Sequence, residues 1–256
     1  MRKLALVALV VLAAVPLAGQ TPNPADYERV LVPLTTQTSH GQQGSLWTTT
    51  LRIFNGANEP VELIGPTSEI SLVVDPQQTE SESIAPLLRG LEGAFLYVPK
   101  ARLATTMFSL RVANNARGNL VGSQIPVVRE SEAKPDLSFI DIPNHTRYRV
   151  ALRIYGFTDA PMQVGVKILR EDGPTVVQQF TVDLHGIIHV NPEPFPLHPA
   201  YAAINPISRP LPVDQPDARI EITNFHTIIS PPPPPIWAFI SITDNVTGEV
   251  TIVEPQ

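Results

Sequence analysis

The sequence predicts an all-β protein made of two antiparallel β-sandwich domains in tandem. Three observations support this prediction: apolar and polar residues alternate over short runs, proline is frequent at 28 of 256 residues, and one motif occurs twice. Prolines are disfavoured in helix interiors and central strands, so they mark turns and sheet edges. Many short strands separated by such turns are typical of a sandwich.

The repeated motif is an aromatic residue, then a Leu-Arg-Ile-aromatic strand, then a turn that ends in proline. Its two copies have the same spacing and comprise Trp47, residues 51–54 and Pro60 in the first, and Tyr148, residues 152–155 and Pro161 in the second. A second repeated pattern ends each copy, where Asn115 precedes Gly118 and Asn245 precedes Gly248. A repeat of about 100 residues has the size of a whole domain.

Each copy of the main strand alternates strictly between its two faces. Leu51 and Ile53 share one face with Trp47, and Leu152 and Ile154 share one face with Tyr148. Period-two alternation indicates a half-buried antiparallel strand. We therefore expect these faces to form two separate cores, one in each domain.

The predicted domains are separated by a short charged segment. We expect a signal peptide at residues 1–19, a polar lead at 20–26, the first sandwich at 27–133 and the second at 134–256. Residues 129–135 form the linker at the boundary between the domains, since they are charged and end in a proline. The second domain also contains a proline-rich insert at 191–216, which we interpret as a wrapped loop.

The N-terminal segment predicts export. Arg2 and Lys3 precede an apolar run to Val15, and small residues lead to Gln20, which is the order of a secretory signal. An uncleaved N-terminal anchor is the alternative. With no cysteine in the chain, we expect a bacterial periplasmic, cell-surface or extracellular protein without disulfides. We expect no transmembrane span in the mature chain.

Charge and composition exclude several classes of function. The formal net charge is −6, which argues against a nucleic-acid partner. The absence of cysteine excludes thiol catalysis and thiolate metal sites. His185 and His189 read as strand residues too far apart to share one ion, so we predict no metal and no cofactor. No motif of a nucleophile, phosphate or dinucleotide site is present, and we predict no catalytic residues.

The main strands and closing hairpins resemble the tandem immunoglobulin-like modules of uncharacterised exported bacterial proteins. The resemblance covers most of residues 27–256. It implies immunoglobulin-like sandwiches with a surface, periplasmic or adhesive role and without catalysis. The chain departs from this pattern at Gly156, where the first copy has Asn55, and in its proline-rich insert.

Two surface features are candidate ligand-binding sites. Arg147, Arg149 and Arg153 form a basic stripe on the outward face of the second main strand, with Lys167 nearby, and such a stripe could bind an acidic polymer. The alternative is a solvated face with cross-strand partners such as Glu221. The second feature is a polar loop at residues 35–45 that contains His40, since loops on rigid sheets often carry function.

The proline run at residues 231–235 is either a stiff spacer or a ligand for an aromatic groove. Taken together, the sequence favours a non-catalytic structural or interaction module that binds a partner protein or a cell-envelope polymer through sheet faces and loops. One alternative is a carbohydrate-binding module using Trp237, Phe239 and Tyr201. Another is an enzyme with a site at the domain joint. The sequence does not specify an oligomeric state.

Overall fold

The structure is a computed structural model and describes residues 22–33, 38–40, 46–65, 71–82, 93–114, 122–186, 194–196, 198–205, 207, 217–224 and 233–256. The predicted all-β class is confirmed, because these residues form antiparallel sheets and only short 3-10 turns. The expected signal segment at 1–19 lies outside the described residues. Within the described part of the chain, no helix is long and apolar enough to cross a membrane.

The described residues form eighteen strands. They are β1 Tyr27–Pro33, β2 Thr38–His40, β3 Leu46–Asn55, β4 Val61–Ile64, β5 Ser71–Val74, β6 Thr79–Glu82, β7 Gly93–Pro99, β8 Thr106–Asn114, β9 Gly122–Ile125, β10 Val128–Arg129, β11 Asp136–Pro143, β12 Tyr148–Gly156, β13 Met162–Arg170, β14 Val176–Leu184, β15 Ala200–Ile204, β16 Asp217–Asn224, β17 Ile236–Asp244 and β18 Val250–Val253.

These strands build four sheets. Sheet I has the order β10-β1-β7-β4-β5, and sheet II has the order β2-β3-β8-β9 with β6 also paired to β3. Sheet III has the order β15-β12-β17-β18, and sheet IV has the order β11-β16-β13-β14. Sheets I and II enclose one apolar cluster and form the first sandwich, while sheets III and IV enclose another and form the second.

The two sandwiches have the same strand order. The run β1-β7-β4-β5 in sheet I corresponds to β11-β16-β13-β14 in sheet IV, and β6-β3-β8-β9 in sheet II corresponds to β15-β12-β17-β18 in sheet III. The first sandwich adds β2 and β10 to this common set of eight strands.

The register of the central strands also agrees. Leu51 lies opposite Leu110, and Leu152 lies opposite Ile240. In each sandwich the aromatic residue that begins the repeated motif is paired with the residue just before the closing asparagine. Trp47 is paired with Asn114, and Tyr148 is paired with Asp244. The inward face of each main strand is as the alternation predicts, with Leu51, Ile53, Leu152 and Ile154 buried.

The inward faces of the two main strands enter two separate cores, as expected, but the core of the first sandwich is not confined to the first half of the chain. The buried cluster of the first sandwich extends to Tyr155, Phe157, Trp237 and Phe239, which belong to the second half of the chain. Tyr155 on β12 and Trp237 and Phe239 on β17 alternate with core residues of the second sandwich, so they lie on the outer face of sheet III, and Phe157 follows directly after β12. That outer face therefore packs against the first sandwich instead of water.

Two predicted loops contain strands. Residues 200–204 of the proline-rich insert form β15, which pairs with residues 152–156 of β12 and corresponds to β6. Residues 38–40 of the predicted polar loop form β2, which pairs with residues 46–48 of β3. In both cases the strand is short and flanked by turn-forming residues, which concealed its alternation.

The turn after β3 is held by a buried asparagine. The Asn55 side chain is fully buried, and its amide nitrogen donates to Glu59 O at 2.8 Å and Val74 O at 2.9 Å. Its side-chain oxygen accepts from Ala57 N at 2.9 Å. One amide thus satisfies backbone groups of the turn and of β5, which fixes how the chain passes from sheet II to sheet I.

We predict that Asn55→Ala lowers the free energy of unfolding by about 3 kcal/mol, because it leaves several buried backbone groups without a hydrogen-bond partner. Urea denaturation followed by fluorescence would measure the loss. Thr50→Ala, at an exposed position of the same strand, is the control and should change stability by about 0.5 kcal/mol or less. Equal effects of the two substitutions would contradict the role given to Asn55.

Candidate functional site

The three arginines of the predicted basic stripe do not form one solvated surface. Arg149 and Arg153 lie on β12, whereas Arg147 comes directly before the first residue of that strand. Arg153 is half-buried, with its guanidinium 5.7 Å from the centre of the Phe239 ring. Lys167 is on β13 in sheet IV, opposite Glu221, and so lies on a different sheet from the arginines.

Arg147 has a carboxylate partner other than the one predicted. Its Nε and Nη2 atoms donate to Oδ2 of Asp244 at 2.9 and 2.5 Å. Its guanidinium also lies 5.6 Å from the centre of the Tyr148 ring. Glu221, the partner suggested by the sequence, is instead within 3.4 Å of Arg219 on its own strand.

Asp244 also orders the loop between β17 and β18. Its Oδ1 accepts from Val246 N at 2.8 Å and Thr247 N at 3.3 Å, and its carbonyl oxygen accepts from Gly248 N at 2.8 Å. Gly248 has a φ of 74°, the left-handed conformation that glycine adopts without steric cost. The loop is therefore closed by a compact set of internal hydrogen bonds.

The neighbouring loop is joined to this one. Asn245 N donates to Arg147 O at 2.8 Å, which ties the loop after β11 to the loop after β17. We call Arg147 together with residues 244–248 the tip. Val246 is 78% exposed on it, and the Arg147 side chain is 46% exposed. The tip thus presents an apolar side chain and a cation on an ordered backbone.

Arg147 and Asp244 in the tip each stabilise the charged form of the other. The hydrogen bond from Arg147 is the main cause that lowers the pKa of Asp244 to about 2, with further help from the backbone N–H groups of Val246 and Thr247. The same hydrogen bond raises the pKa of Arg147. Both groups are therefore charged at neutral pH.

The second notable region is the joint, where sheet I meets the outer face of sheet III. Arg29 on β1 is its centre. Its guanidinium donates to both carboxylate oxygens of Glu130, at 3.1 and 2.6 Å, and to Phe157 O at 2.6 Å. It also lies over the rings of Phe95 and Phe157, at 4.7 and 5.7 Å from their centres. One side chain thus bridges the two sandwiches.

Aromatic rings surround Arg29 on both sides of the joint. Phe95 and Phe157 are 5.5 Å apart between ring centres, and Tyr97 packs edge-on against Phe195. The Tyr97 hydroxyl donates to Pro196 O, and burial raises the pKa of that hydroxyl well above its usual value. On the other side a cluster on sheet III comprises Tyr155, Tyr201, Trp237 and Phe239.

Gly93 permits this close approach. A β-carbon at Gly93 would lie 3.0 Å from both Tyr155 and Pro199, and its φ of 147° is rarely adopted by other residues. The glycine lets the start of β7 contact the second sandwich directly. This contact makes the joint a packed interface.

The remaining predicted site residues lie elsewhere. His40 ends β2 at the edge of sheet II, opposite Leu46, and so belongs to the other sandwich from the three arginines. His185 exchanges two backbone hydrogen bonds with Tyr201, and His189 lies outside the described residues. The described ranges contain no group of three or more histidine or acidic side chains that could hold a metal ion.

The proline run lies partly against the joint. Pro233 to Pro235 are half-buried, whereas residues 231–232 fall outside the described ranges. Pro234 O accepts from the Asn224 side chain at 2.7 Å, and Pro235 O accepts from Phe157 N at 2.9 Å. At its described end the run is therefore fastened to the second sandwich.

Sequence reasoning missed Arg29, Asp244 and the rings of the joint, although one signal could have found the rings. Phe54 pairs with Met107 in sheet II, and the equivalent pair in sheet III is Tyr155 with Trp237. Met107 is 60% exposed and Trp237 only 5% exposed. At this pair and at the next outward position, where Phe239 stands in place of Ser109, sheet III has an additional aromatic residue.

Comparison with known proteins does not assign the chain to a family. No protein-family model, no curated protein and no solved structure matches it.

We predict that Arg29→Met lowers the free energy of unfolding by about 2 kcal/mol, because Phe157 O loses a charged donor and Glu130 loses its partner. Arg102→Met is the control, since it removes an exposed ion pair with Glu59 and should cost about 1 kcal/mol or less. Urea denaturation of both variants would test the difference. A loss at Arg29 no larger than at Arg102 would show that the bridge does not stabilise the joint.

The tip should make stability depend on acid. Because the folded-state pKa of Asp244 is lowered from 3.8 to about 2, its contribution is fully present above pH 3.8 and is lost as the pH falls towards 2. Asp244→Asn should therefore differ most in stability from the native chain above pH 3.8, and the difference should shrink below it. Denaturation at several pH values would measure this. In Arg147→Met, NMR titration should show the Asp244 pKa moving back towards 3.8; an unchanged pKa would refute the pairing.

Proposed function

We propose that this protein is an exported, non-catalytic structural and interaction module that binds a partner protein or a cell-envelope polymer through the tip. The observation that carries the proposal is the exposure of Val246 and Arg147 on a loop whose backbone is already ordered by Asp244. A preordered loop loses little conformational entropy on binding, so a small exposed surface contributes more of its contact energy to affinity.

The joint supports the structural part of the proposal. Interfaces between domains of one chain are often polar and permit relative motion. Here Gly93, Phe95 and Phe157 pack closely, and Arg29 bridges both sides. The two sandwiches therefore act as one rigid unit that holds the tip at a fixed position.

We also infer that the two sandwiches are tandem copies of one immunoglobulin-like module. In both, the second strand of the common set pairs with the fifth, and the third pairs with the sixth, as strands B with E and C with F do in immunoglobulin domains. The first and fourth strands, however, join the sheet of the third and sixth, and the seventh and eighth join the sheet of the second and fifth. The modules are thus a variant in which the strands outside the two central pairs lie on the opposite sheet from that of a seven-stranded immunoglobulin domain.

Export is part of the proposal and is supported by the sequence order at residues 1–19. A periplasmic, cell-surface or extracellular location fits a chain that reaches its fold without cysteine.

Carbohydrate binding is the less favoured alternative, because the rings it would use contribute to the joint. Trp237 and Phe239 are buried there, and Tyr201 packs against Tyr155. Stacking on a sugar ring requires an exposed aromatic face. An enzymatic site at the joint is also less favoured, because Arg29 and Tyr97 already donate to protein groups there.

The mature chain, immobilised and exposed to a bacterial envelope extract and to purified envelope polymers, should retain a ligand. We predict that Val246→Asp reduces retention about tenfold, because a charge replaces the apolar contact at the centre of the tip. Quantitative mass spectrometry or polymer assay of the eluate would measure it.

Met107→Asp is the matched control, since it places the same charge at another exposed apolar position, on sheet II. Equal retention by both variants would refute binding through the tip. Retention of a free glycan that Val246→Asp leaves unchanged would favour the carbohydrate-binding alternative. Turnover of an added substrate would refute the non-catalytic role.

A further inference from the structure

We propose that the edge strand β14 pairs antiparallel with β14 of a second copy of this chain, which joins the two copies of sheet IV into one continuous sheet. This inference does not depend on the tip, which lies at the end of sheet III. It concerns an interaction surface that serves assembly of the protein with itself.

The strand β14 is a long edge with little of the usual protection. It lies outermost in sheet IV, pairs only with β13 among the described strands, and spans Val176–Leu184. Its register with β13 is irregular at Val177, and beyond Leu184 the chain pairs with β15 through His185 and Tyr201, so the regular part of this edge is the seven residues 178–184. Its sequence VVQQFTVDL contains no proline, no lysine or arginine, and one carboxylate near its end. Natural edge strands are normally shortened, bulged or charged, because their free N–H and C=O groups recruit other strands.

Other edges in the described part of the molecule carry such protection. β5, the equivalent of β14 in the first sandwich, has only four residues. β11, at the opposite edge of sheet IV, has a register irregularity between Phe139 and Ile142, and Asp141 there has a φ of 55°. β6 places Glu80 opposite Ile53, on the inward face of its sheet. Edges β9 and β18 lie beside each other, linked by the hydrogen bond from Ser123 to Val250 O.

The side chains of β14 are incompletely covered. Phe180 and Val182 lie opposite Val166 and Val164 and contact the core of the second sandwich, but they remain half-buried at the open edge. The side-chain oxygen of Gln178 is buried and lacks a hydrogen-bond partner among the described residues. An added strand would cover the two apolar side chains and bring N–H donors close to this oxygen.

A second copy fits this edge because the strand is complementary to itself. With the twofold axis at Phe180, Gln179 faces Thr181 of the other copy, and Gln178 faces Val182, all within the regular part of the strand. No like charges are opposed, and the two Asp183 carboxylates lie roughly 20 Å apart, beyond the Debye length at physiological salt. The twofold pairing also closes after two copies, whereas pairing of β14 with a different edge would continue into a filament.

The geometry points to a weak dimer. A single pair of edge strands buries less surface than a standard protein–protein interface, so we expect dissociation constants in the micromolar range or weaker. The dimer would present two tips from one assembly, and two weak contacts on a polymer then reinforce each other.

Sedimentation equilibrium of the mature chain from about 10 μM to about 1 mM should show a monomer–dimer equilibrium. The double variant Gln179→Glu/Thr181→Glu should weaken dimerisation about tenfold or more, because the new carboxylates face each other across the axis. Both positions are exposed, and Gln179 lies opposite Lys167, so the fold should tolerate the change. Thermal denaturation would verify this.

Two further samples complete the test. Thr50→Glu/Met107→Glu adds the same charge on the outer face of sheet II and should leave dimerisation unchanged. Gln179→Lys/Thr181→Lys mixed with the double glutamate variant should restore a dimer, seen as a mixed species by native mass spectrometry. A native chain that stays monomeric at 1 mM, a dimer that the glutamates do not weaken, or a mixture without restored pairing would each overturn the proposal. The outcome is independent of ligand retention by the tip.

Discussion

The packing of sheet I against sheet III is the contact on which the rest of this structure depends. Strand β7 runs through it with six successive buried residues, Gly93 to Val98. A strand buried on both faces cannot alternate apolar and polar residues, and its run of apolar side chains follows from that constraint. One face of β7 completes the core of the first sandwich, and the other meets Tyr155 and Phe157.

Burying that contact requires a solution for its polar groups. Arg29 enters the joint from β1 and is only 15% exposed. A charge in such a place is tolerated when it is paired and hydrogen-bonded. Glu130 supplies the opposite charge, Phe157 O a further acceptor, and the rings of Phe95 and Phe157 a favourable surface for the cation. Most of the joint is thus apolar, and one charged side chain fixes how the two sandwiches are positioned against each other.

The sequence was sufficient to predict the class of fold and the inward face of each main strand. The alternation at Leu51 and Leu152 reports one face of a strand, and that face does meet a core. Alternation cannot report what covers the other face, since this depends on another sheet. For that reason Arg153 was predicted to be solvated, although it lies half-buried beside Phe239.

The tip was predictable only in part. The repeated pattern that ends at Gly248 indicated a hairpin loop, whereas Arg147 was assigned to a basic stripe on the main strand, with no link to that loop. Their connection depends on the register that sets Tyr148 opposite Asp244, and this register brings Arg147 to the carboxylate. Residues this far apart in the chain meet only once strand pairing is known. The signal for the pairing was the repeat itself, because Trp47 and Asn114 stand in the same relation in the first copy.

The two copies share one strand order, and their differences in outward residues explain why the stack has four sheets. Sheet III carries Tyr155, Trp237 and Phe239 on its outer face, and sheet I covers them. The equivalent face of sheet II has Arg52 opposite Ser109 where sheet III has Arg153 opposite Phe239. The outer face of sheet IV, which corresponds to that of sheet I, pairs Lys167 with Glu221. The outer sheets thus carry polar pairs at these positions, although sheet II also has Phe54 opposite the exposed Met107. These polar pairs disfavour the stacking of a further sheet, and the self-assembly that we propose uses a strand edge instead.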